Sequence, residues 1–329
     1  MSPPLEALRS TISPDATLVF ESRFESGNLE KAVRVNEWEY DLELSTDFNT
    51  RGHTQWFYFS ISNTRKDQPY KFNIINFYKS DSLYNHGLLP VVYSEKRSTE
   101  GDGIGWYRAG ENVCYYPNTT KRKDKKARRC FHRQAFTSLR FPSLDRVYIA
   151  HCYPFTFTDL RNHIDQIQSD PNKASKIRRK RMCDTEAGNI CEILTLTSQV
   201  VDPEVLRSRK VIAISARVHP GETNSSWMMK GLLDFLLSGC ETADNLLDTF
   251  IFKIVPMLNP DGVIIGNYRC GLGGNDLNRI TKGQEHPLQN PMKFLLDLRY
   301  MRSEKEIVLF IDLHGHSRKN NIFCYGCDR

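Results

Sequence analysis

The sequence predicts a two-domain protein, an antiparallel β-sandwich followed by an α/β domain. Three observations carry that expectation. The chain has 329 residues, and domains commonly run to roughly 100–200 residues each. From about Ala16 to about Phe157, apolar and polar residues alternate with a period of two, as they do in half-buried strands. Beyond that point, short apolar runs alternate with helical periodicity, the pattern of a sheet covered by helices. The expected domains are residues 1–157 and 158–329.

In the first domain the clearest strand runs are residues 17–20, 38–44, 55–62, 70–77, 113–116 and 146–150. They are rich in Val, Ile, Phe, Tyr and Trp, which suit a pleated surface with one buried side. Turn-rich pieces separate them, among them Ser26-Gly27-Asn28 and Gly101-Asp102-Gly103. Many short strands at such spacing indicate a sandwich. No catalytic motif stands out in this half.

Residues 158–182 turn polar and basic, with Leu160, Ile164 and Ile167 at helical spacing. They predict an amphipathic helix at the domain junction. Residues 190–197 and 210–216 read as strands, and 225–238 as a helix with Met228, Leu232, Phe235 and Leu236 along one stripe. Thr223, Asn224 and Ser225 offer capping side chains at its start, and Gly239 a stop. Residues 250–258 form an apolar strand and 291–300 a helix. Residues 306–313, EIVLFIDL, are a continuous apolar run of the kind found in fully buried strands of a largely parallel sheet. There is no internal repeat.

Composition narrows the function classes. Hydrophobic residues make up 40% and charged residues 26%, ordinary for a folded globular chain. No run approaches the roughly 18 consecutive apolar residues of a membrane span. The opening MSPPLEALRS lacks a basic segment followed by an apolar one, so no secretory signal is expected. Nine scattered cysteines then read as reduced cytosolic thiols rather than a disulfide framework. Cys324 and Cys327 have CxxC spacing, half a zinc site at most, and are expected in or near a buried strand. The formal charge is +6, with basic runs KRKDKKARR at 121–129 and KIRRKR at 176–181. Neither is interleaved with aromatic residues as a stacking platform would be. They are expected as a solvated loop and a polar helix face, and nucleic acid is not an expected partner.

The strand 210–216 runs into Arg217-Val218-His219-Pro220-Gly221-Glu222. His219 and Glu222 form an HxxE pair, a weak signal alone. Pro220 and Gly221 place the pair on a strand-to-helix loop, however, and open α/β folds bind ligands at such strand ends. His314, in Asp312-Leu313-His314-Gly315-His316, ends the second buried strand. Parallel neighbours would bring these ends together, and two His plus one Glu with an open position is a catalytic zinc set. Between them lie cations. Arg279 could grip a carboxylate bidentately with help from Asn278, its guanidinium buried and costly to leave unpaired. Arg269 could stabilise an oxyanion beside the metal. GLGGND lacks the GK[ST] ending of a phosphate loop.

HPGE at 219–222, NPDG at 259–262, GNYRCGLGGNDLNR at 266–279 and DLHGHSRKNNIFCYG at 312–326 together closely resemble the zinc carboxypeptidases. More narrowly they resemble the cytosolic carboxypeptidase branch, which removes glutamates from tubulin and other acidic-tailed proteins. FESRFESGNLEKAVRV, HTQWFYFSISNTRKD and YPFTFTDL resemble that branch's β-sandwich domain. The resemblance implies a carboxypeptidase domain with a mixed sheet over residues 158–329, and one zinc ion held by His219, Glu222 and His314. It implies that Asn278 and Arg279 bind the substrate's terminal carboxylate, that Arg269 polarises the scissile carbonyl, and that His316 stands beside a ligand without being one. The implied activity is removal of C-terminal or side-chain glutamates from polyglutamylated or Glu-terminated protein tails, tubulin among them. The implied setting is the cytosol, with microtubules or centrioles as points of contact and no membrane partner.

One departure qualifies the resemblance. The family's general base is a glutamate well downstream of the third ligand, and residues 317–329 contain none. The α/β domain is therefore expected to be C-terminally incomplete, with an apolar sheet edge left unpaired. The chain is expected to be a weak or inactive catalyst. The alternative expectation is a catalytically deficient short form that binds acidic protein tails.

Overall fold

The computed structural model describes residues 17–326 except 101–102, 104, 124–128, 142, 200–201, 280–304 and 317–318. Two five-stranded sheets face each other in the first domain. One runs in the order β1 (Val19–Glu21), β4 (Tyr58–Ser62), β10 (Val147–Ala150), β6 (Val91–Ser94) and β7 (Trp106–Arg108), all antiparallel. The other runs β2 (Lys31–Asn36), β3 (Glu39–Glu43), β5 (Pro69–Phe77), β9 (Arg129–Arg140) and β8 (Glu111–Lys123). It is antiparallel except where β3 pairs with β5. Alternation explains the packing between them. Tyr40 and Leu42 of β3 and Tyr70 and Phe72 of β5 point inward against Phe59 and Ile61 of β4 and Val147 and Ile149 of β10. Burying each such side chain contributes roughly 1.5–3 kcal/mol.

The second domain is a mixed five-stranded sheet in the order β11 (Ile177–Asp184), β12 (Ile190–Leu196), β14 (Phe250–Val255), β13 (Lys210–Ala216) and β15 (Ile307–Leu313). The β11–β12 and β12–β14 pairs are antiparallel, and β13 lies parallel to both β14 and β15. Three helices cover one face: α1 (Phe157–Ser169), α2 (Thr223–Leu236) and α3 (Glu241–Thr249). Leu160, Ile164 and Ile167 of α1, Met229 and Leu233 of α2, and Leu247 of α3 pack on Leu194, Ile212, Ile214 and Ile254. A capping box between Thr156 and Asp159 starts α1. Glu25 of the sandwich adds a carboxylate there, accepting from the backbone N–H of Phe157 (2.7 Å) and Thr158 (3.1 Å).

Several sequence expectations are corrected. The junction helix ends at Ser169, and KIRRKR falls on the edge strand β11 rather than on a helix face. Arg179 there pairs with Asp165 and Glu192, each at 2.6 Å. The run 121–129 is not simply a loop, since Lys121–Lys123 end β8 and Arg129 begins β9. Strand β15 is only partly covered among the described residues: Val308, Leu309 and Phe310 are 42, 47 and 41% exposed. It is an edge strand of the sheet among the described residues. Cys324 is exposed and lies outside any strand, and Cys327 lies outside the described residues. The expected helix at 291–300 and most of the Gly101-Asp102-Gly103 turn also lie outside them.

Candidate metal centre

The centre is assembled by the parallel pairing of β13 and β15. Ser215 stands opposite Asp312 and Ala216 opposite Leu313, so the two strands end side by side. His219 follows the first strand and His314 the second, and their ring centroids lie 5.0 Å apart. Between Ala216 and His219 the chain turns sharply through Arg217, a non-glycine residue at φ 59°. Its buried guanidinium holds that conformation, donating to the carbonyls of Pro220 (2.7 Å) and Phe155 (3.0 Å) and to Ser226 Oγ (2.8 Å). Three such bonds offset the strain of the left-handed region.

Gly221 is needed where the next loop crosses this turn. A Cβ there would lie 2.4 Å from Tyr268 Cδ2 and 3.0 Å from the Tyr268 carbonyl oxygen. The Gly221 N–H instead donates to that oxygen at 2.8 Å. Glu222, not the expected Thr223, Asn224 or Ser225, is the cap residue of α2, and its side chain makes no capping bond. Its carboxylate is held elsewhere. Oε1 lies 2.9 Å from His219 Nδ1, Oε2 lies 3.0 Å from His314 Nδ1, and Oε2 also accepts from Gly315 N–H at 2.7 Å.

His219, Glu222 and His314 each offer a donor atom, and these atoms all lie within 4.8 Å of one another. Two imidazoles and a carboxylate are a donor set suited to zinc with a fourth position open. Behind each ring stands a second carboxylate. His219 Nε2 is 3.1 Å from Asp276 Oδ1, and His314 Nε2 is 2.6 Å from Asp312 Oδ2. Such partners fix the ring orientation and leave the opposite nitrogen for a metal. Burial opposes charge on Glu222, but the hydrogen bonds from His219 and His314 bring it down to about 2. Burial likewise opposes charge on His314, and the hydrogen bonds to Asp312 and Glu222 raise it to about 10. His219 is raised too, burial being outweighed by Asp276 and Glu222.

Asp276 connects this cluster to the cations. Its Oδ2 accepts from Arg269 Nε at 2.7 Å, and its Oδ1 accepts from Asn278 N–H at 3.0 Å. Arg279 closes the same short 3-10 turn, donating from Nη1 to the Asn278 carbonyl at 3.0 Å. Among the described residues both Asn278 and Arg279 are exposed, so Arg279 is not the buried guanidinium expected. His316 is not among the three clustered donors; it accepts from Lys319 N–H at 2.8 Å beside the Phe323 ring. Asp276 and Asp312 were not picked out from the sequence. Their only signal is position, each standing two residues before a candidate site residue.

Comparison with known proteins gives a consistent picture. A family model of the cytosolic carboxypeptidase N-terminal domain matches residues 20–111, and one of the zinc carboxypeptidases matches residues 161–328. The chain is 48% identical to cytosolic carboxypeptidase 2 of Xenopus tropicalis, over 94% of its own length and 32% of the relative's. It is 46% identical to human cytosolic carboxypeptidase 2, covering 95% of this chain and 34% of that one. Identity is also 46% to cytosolic carboxypeptidase 3 of Bos taurus, over 95% and 31% respectively. The chain thus spans about a third of the length of these curated relatives.

Its fold is that of a metallo-carboxypeptidase from Pseudomonas aeruginosa, solved in complex with (2-guanidinoethylmercapto)succinic acid. The TM-score is 0.67 at 22% identity, over 91% of this chain and 70% of that one. A metallo-carboxypeptidase from Burkholderia cenocepacia has a TM-score of 0.68 at 21% identity, over 91% and 71%. With the zinc carboxypeptidase model matching just over half of its residues, the chain belongs to the zinc carboxypeptidase family.

Proposed function

We propose that the chain serves a zinc metallocarboxypeptidase that removes C-terminal or side-chain glutamates from acidic protein tails, tubulin's among them. His219, Glu222 and His314 hold a single zinc ion in this reading. The observation that supports it best is the convergence of three donor atoms within 4.8 Å, with Asp276 and Asp312 occupying the far nitrogens of both rings. Zinc bound there supplies Lewis acidity and an acidified water at neutral pH.

The remaining work falls to the chain's own cations. Arg269, steadied by Asp276, donates to the scissile carbonyl oxygen as negative charge builds on it. Arg279 clamps the terminal carboxylate in a two-pronged contact, and Asn278 adds a further donor. A site carrying these guanidiniums suits an acidic tail. The cytosol is the proposed setting, with microtubules and centrioles as the proposed places of contact. Among the described residues no helix is long and apolar enough to cross a membrane.

The test has two parts. Zinc content is measured in His219→Ala, Glu222→Ala and His314→Ala; each is expected to lose the metal, and retention removes that residue from the centre. Release of free glutamate from a peptide ending in several glutamates is then measured with zinc-loaded protein. Arg279→Ala is expected to weaken peptide binding without changing zinc content. Tight peptide binding with no glutamate released would replace hydrolysis by tail binding as the function.

A further inference from the structure

Arg269 stands on a loop, residues 266–276, that contains little regular structure of its own. Gly271 N–H donates to the Asn275 carbonyl and Gly274 N–H to the Gly271 carbonyl, both at 3.0 Å. The Asn267 amide donates to the Cys270 carbonyl at 2.7 Å. The loop's own domain also holds it through Gly221 N–H on the Tyr268 carbonyl and Asn267 N–H on the Gly262 carbonyl, both at 2.8 Å, and the other domain adds a second set of contacts. Asp47, between β3 and β4 of the sandwich, is only 1% exposed. Its Oδ1 accepts from Tyr268 N–H at 2.6 Å, and its Oδ2 accepts from Arg269 N–H at 2.7 Å and Cys270 N–H at 2.8 Å. Its neighbours join in: Phe48 N–H donates to Asn267 Oδ1 at 2.9 Å, and Asn49 Nδ2 to the Leu272 carbonyl at 3.1 Å. The Tyr268 ring is buried with Trp56, Val91 and Ala150, and its hydroxyl accepts from the Lys79 ammonium.

We propose that Asp47 is a positioning residue for Arg269: by gathering the successive N–H groups of residues 268–270 on one buried carboxylate, the sandwich fixes the backbone from which the guanidinium acts. The proposal rests on the carboxypeptidase reading given above. Successive amides aimed at one anion form a preset cradle, and hydrogen bonds to a charged acceptor are roughly twice as strong as neutral ones. Burial pushes the Asp47 carboxyl up to about 6, with the Tyr268, Cys270 and Arg269 N–H groups pulling the other way, and three N–H donors on its two oxygens match the carboxylate form. An asparagine could not replace it. It has one acceptor oxygen where two are used, and its NH₂ would face a backbone N–H. Arg269 pairs with Asp276, which in turn touches His219, so a shift of this loop reaches the catalytic cation directly. A displacement of about 1 Å in an oriented group costs up to ~100-fold in its effect.

The experiment compares Asp47→Asn with the unaltered chain, both zinc-loaded, by calorimetric affinity for two probes. One is a glutamate-terminated peptide; the other is its phosphinate analogue, a mimic of the tetrahedral state that Arg269 would stabilise. The expected result is a loss of ~10–100-fold for the phosphinate, with plain-peptide affinity and zinc content little changed. In an Arg269→Ala background the same substitution is expected to add nothing, because both act through one guanidinium. Equal phosphinate affinity in Asp47→Asn, or full additivity with Arg269→Ala, overturns the proposal. An unaltered chain with no preference for the phosphinate overturns instead the carboxypeptidase reading beneath it. Should Asp47→Asn fail to fold, Asn49→Gly removes only the bond to Leu272 and suits the φ of 57° at that position. It is expected to weaken the phosphinate alone by ~2–10-fold, and an unchanged affinity counts against the proposal.

Discussion

Replacing Asp276 by asparagine tests whether the second carboxylate layer matters as much as the geometry implies. Asp276 is only 16% exposed at its side chain, and it accepts from His219 Nε2, Arg269 Nε and Asn278 N–H at 3.1, 2.7 and 3.0 Å. The His219 and Arg269 contacts hold its carboxyl below the usual range, although burial pulls the other way. Asparagine keeps the shape but removes the charge that steadies both the ring and the guanidinium. Substitution of such outer partners typically lowers metal affinity ~10–100-fold, equivalent to about 1.4–2.8 kcal/mol. The assay is competition for zinc against a chromophoric chelator at neutral pH. His316→Ala serves as the control, because His316 is not one of the three clustered donors, and its affinity is expected to be little changed. Wild-type zinc affinity in Asp276→Asn would refute the reasoning.

Three further outcomes are expected. Gly221→Ala forces a Cβ to within 2.4 Å of the Tyr268 ring; chemical denaturation should show a loss of about 1–3 kcal/mol, with weaker zinc binding beside it. Ile164→Ala empties a fully buried position between α1 and the sheet; it should cost about 2–5 kcal/mol of stability while leaving zinc affinity alone. His151 accepts or donates at 2.9 Å to Tyr84 Oη and is pushed down to about 3, chiefly by burial and then by Lys79 and Arg108. A depressed histidine contributes stability above its ordinary 6.5 and loses it as pH falls toward 3. Melting temperature should therefore drop across that acid window, and His151→Gln should flatten the drop.

The loops that bear His219, Glu222 and His314 were legible because an apolar strand, a Pro-Gly break and a helical stripe follow one another in the chain. The sandwich was legible from alternation, as Tyr70, Phe72 and Ile74 on β5 illustrate. Strand β11 was read as helix because it is an edge strand. Arg178 and Lys180 are exposed while Arg179 takes the part-buried position between them, so polarity does not alternate along the strand. The strands β2, β6, β7 and β9 were likewise missed. The role of Glu222 as helix cap was hidden by the hydroxyl residues beside it, which have the better propensity but the wrong register. Asp47 could not have been found from spacing, and Asp276 had only its place two residues before Asn278. The Asp47 contacts join residues 221–223 positions apart, and the Asp276 contact to His219 spans 57. The first meeting is decided by how the domains dock and the second by the tertiary fold of the α/β domain, neither by local pattern.

The parallel pairing of β13 with β15 has a consequence for how the centre is made. Glu222 and His314 are separated by 92 residues of chain. At about 5–20 residues per second of synthesis, the third donor emerges roughly 5–20 s after the first two. For that interval the nascent protein carries a two-donor fragment, which grips a metal only weakly. In the proposed centre, a zinc ion would therefore meet its full set of three donors only once β15 has been laid against β13.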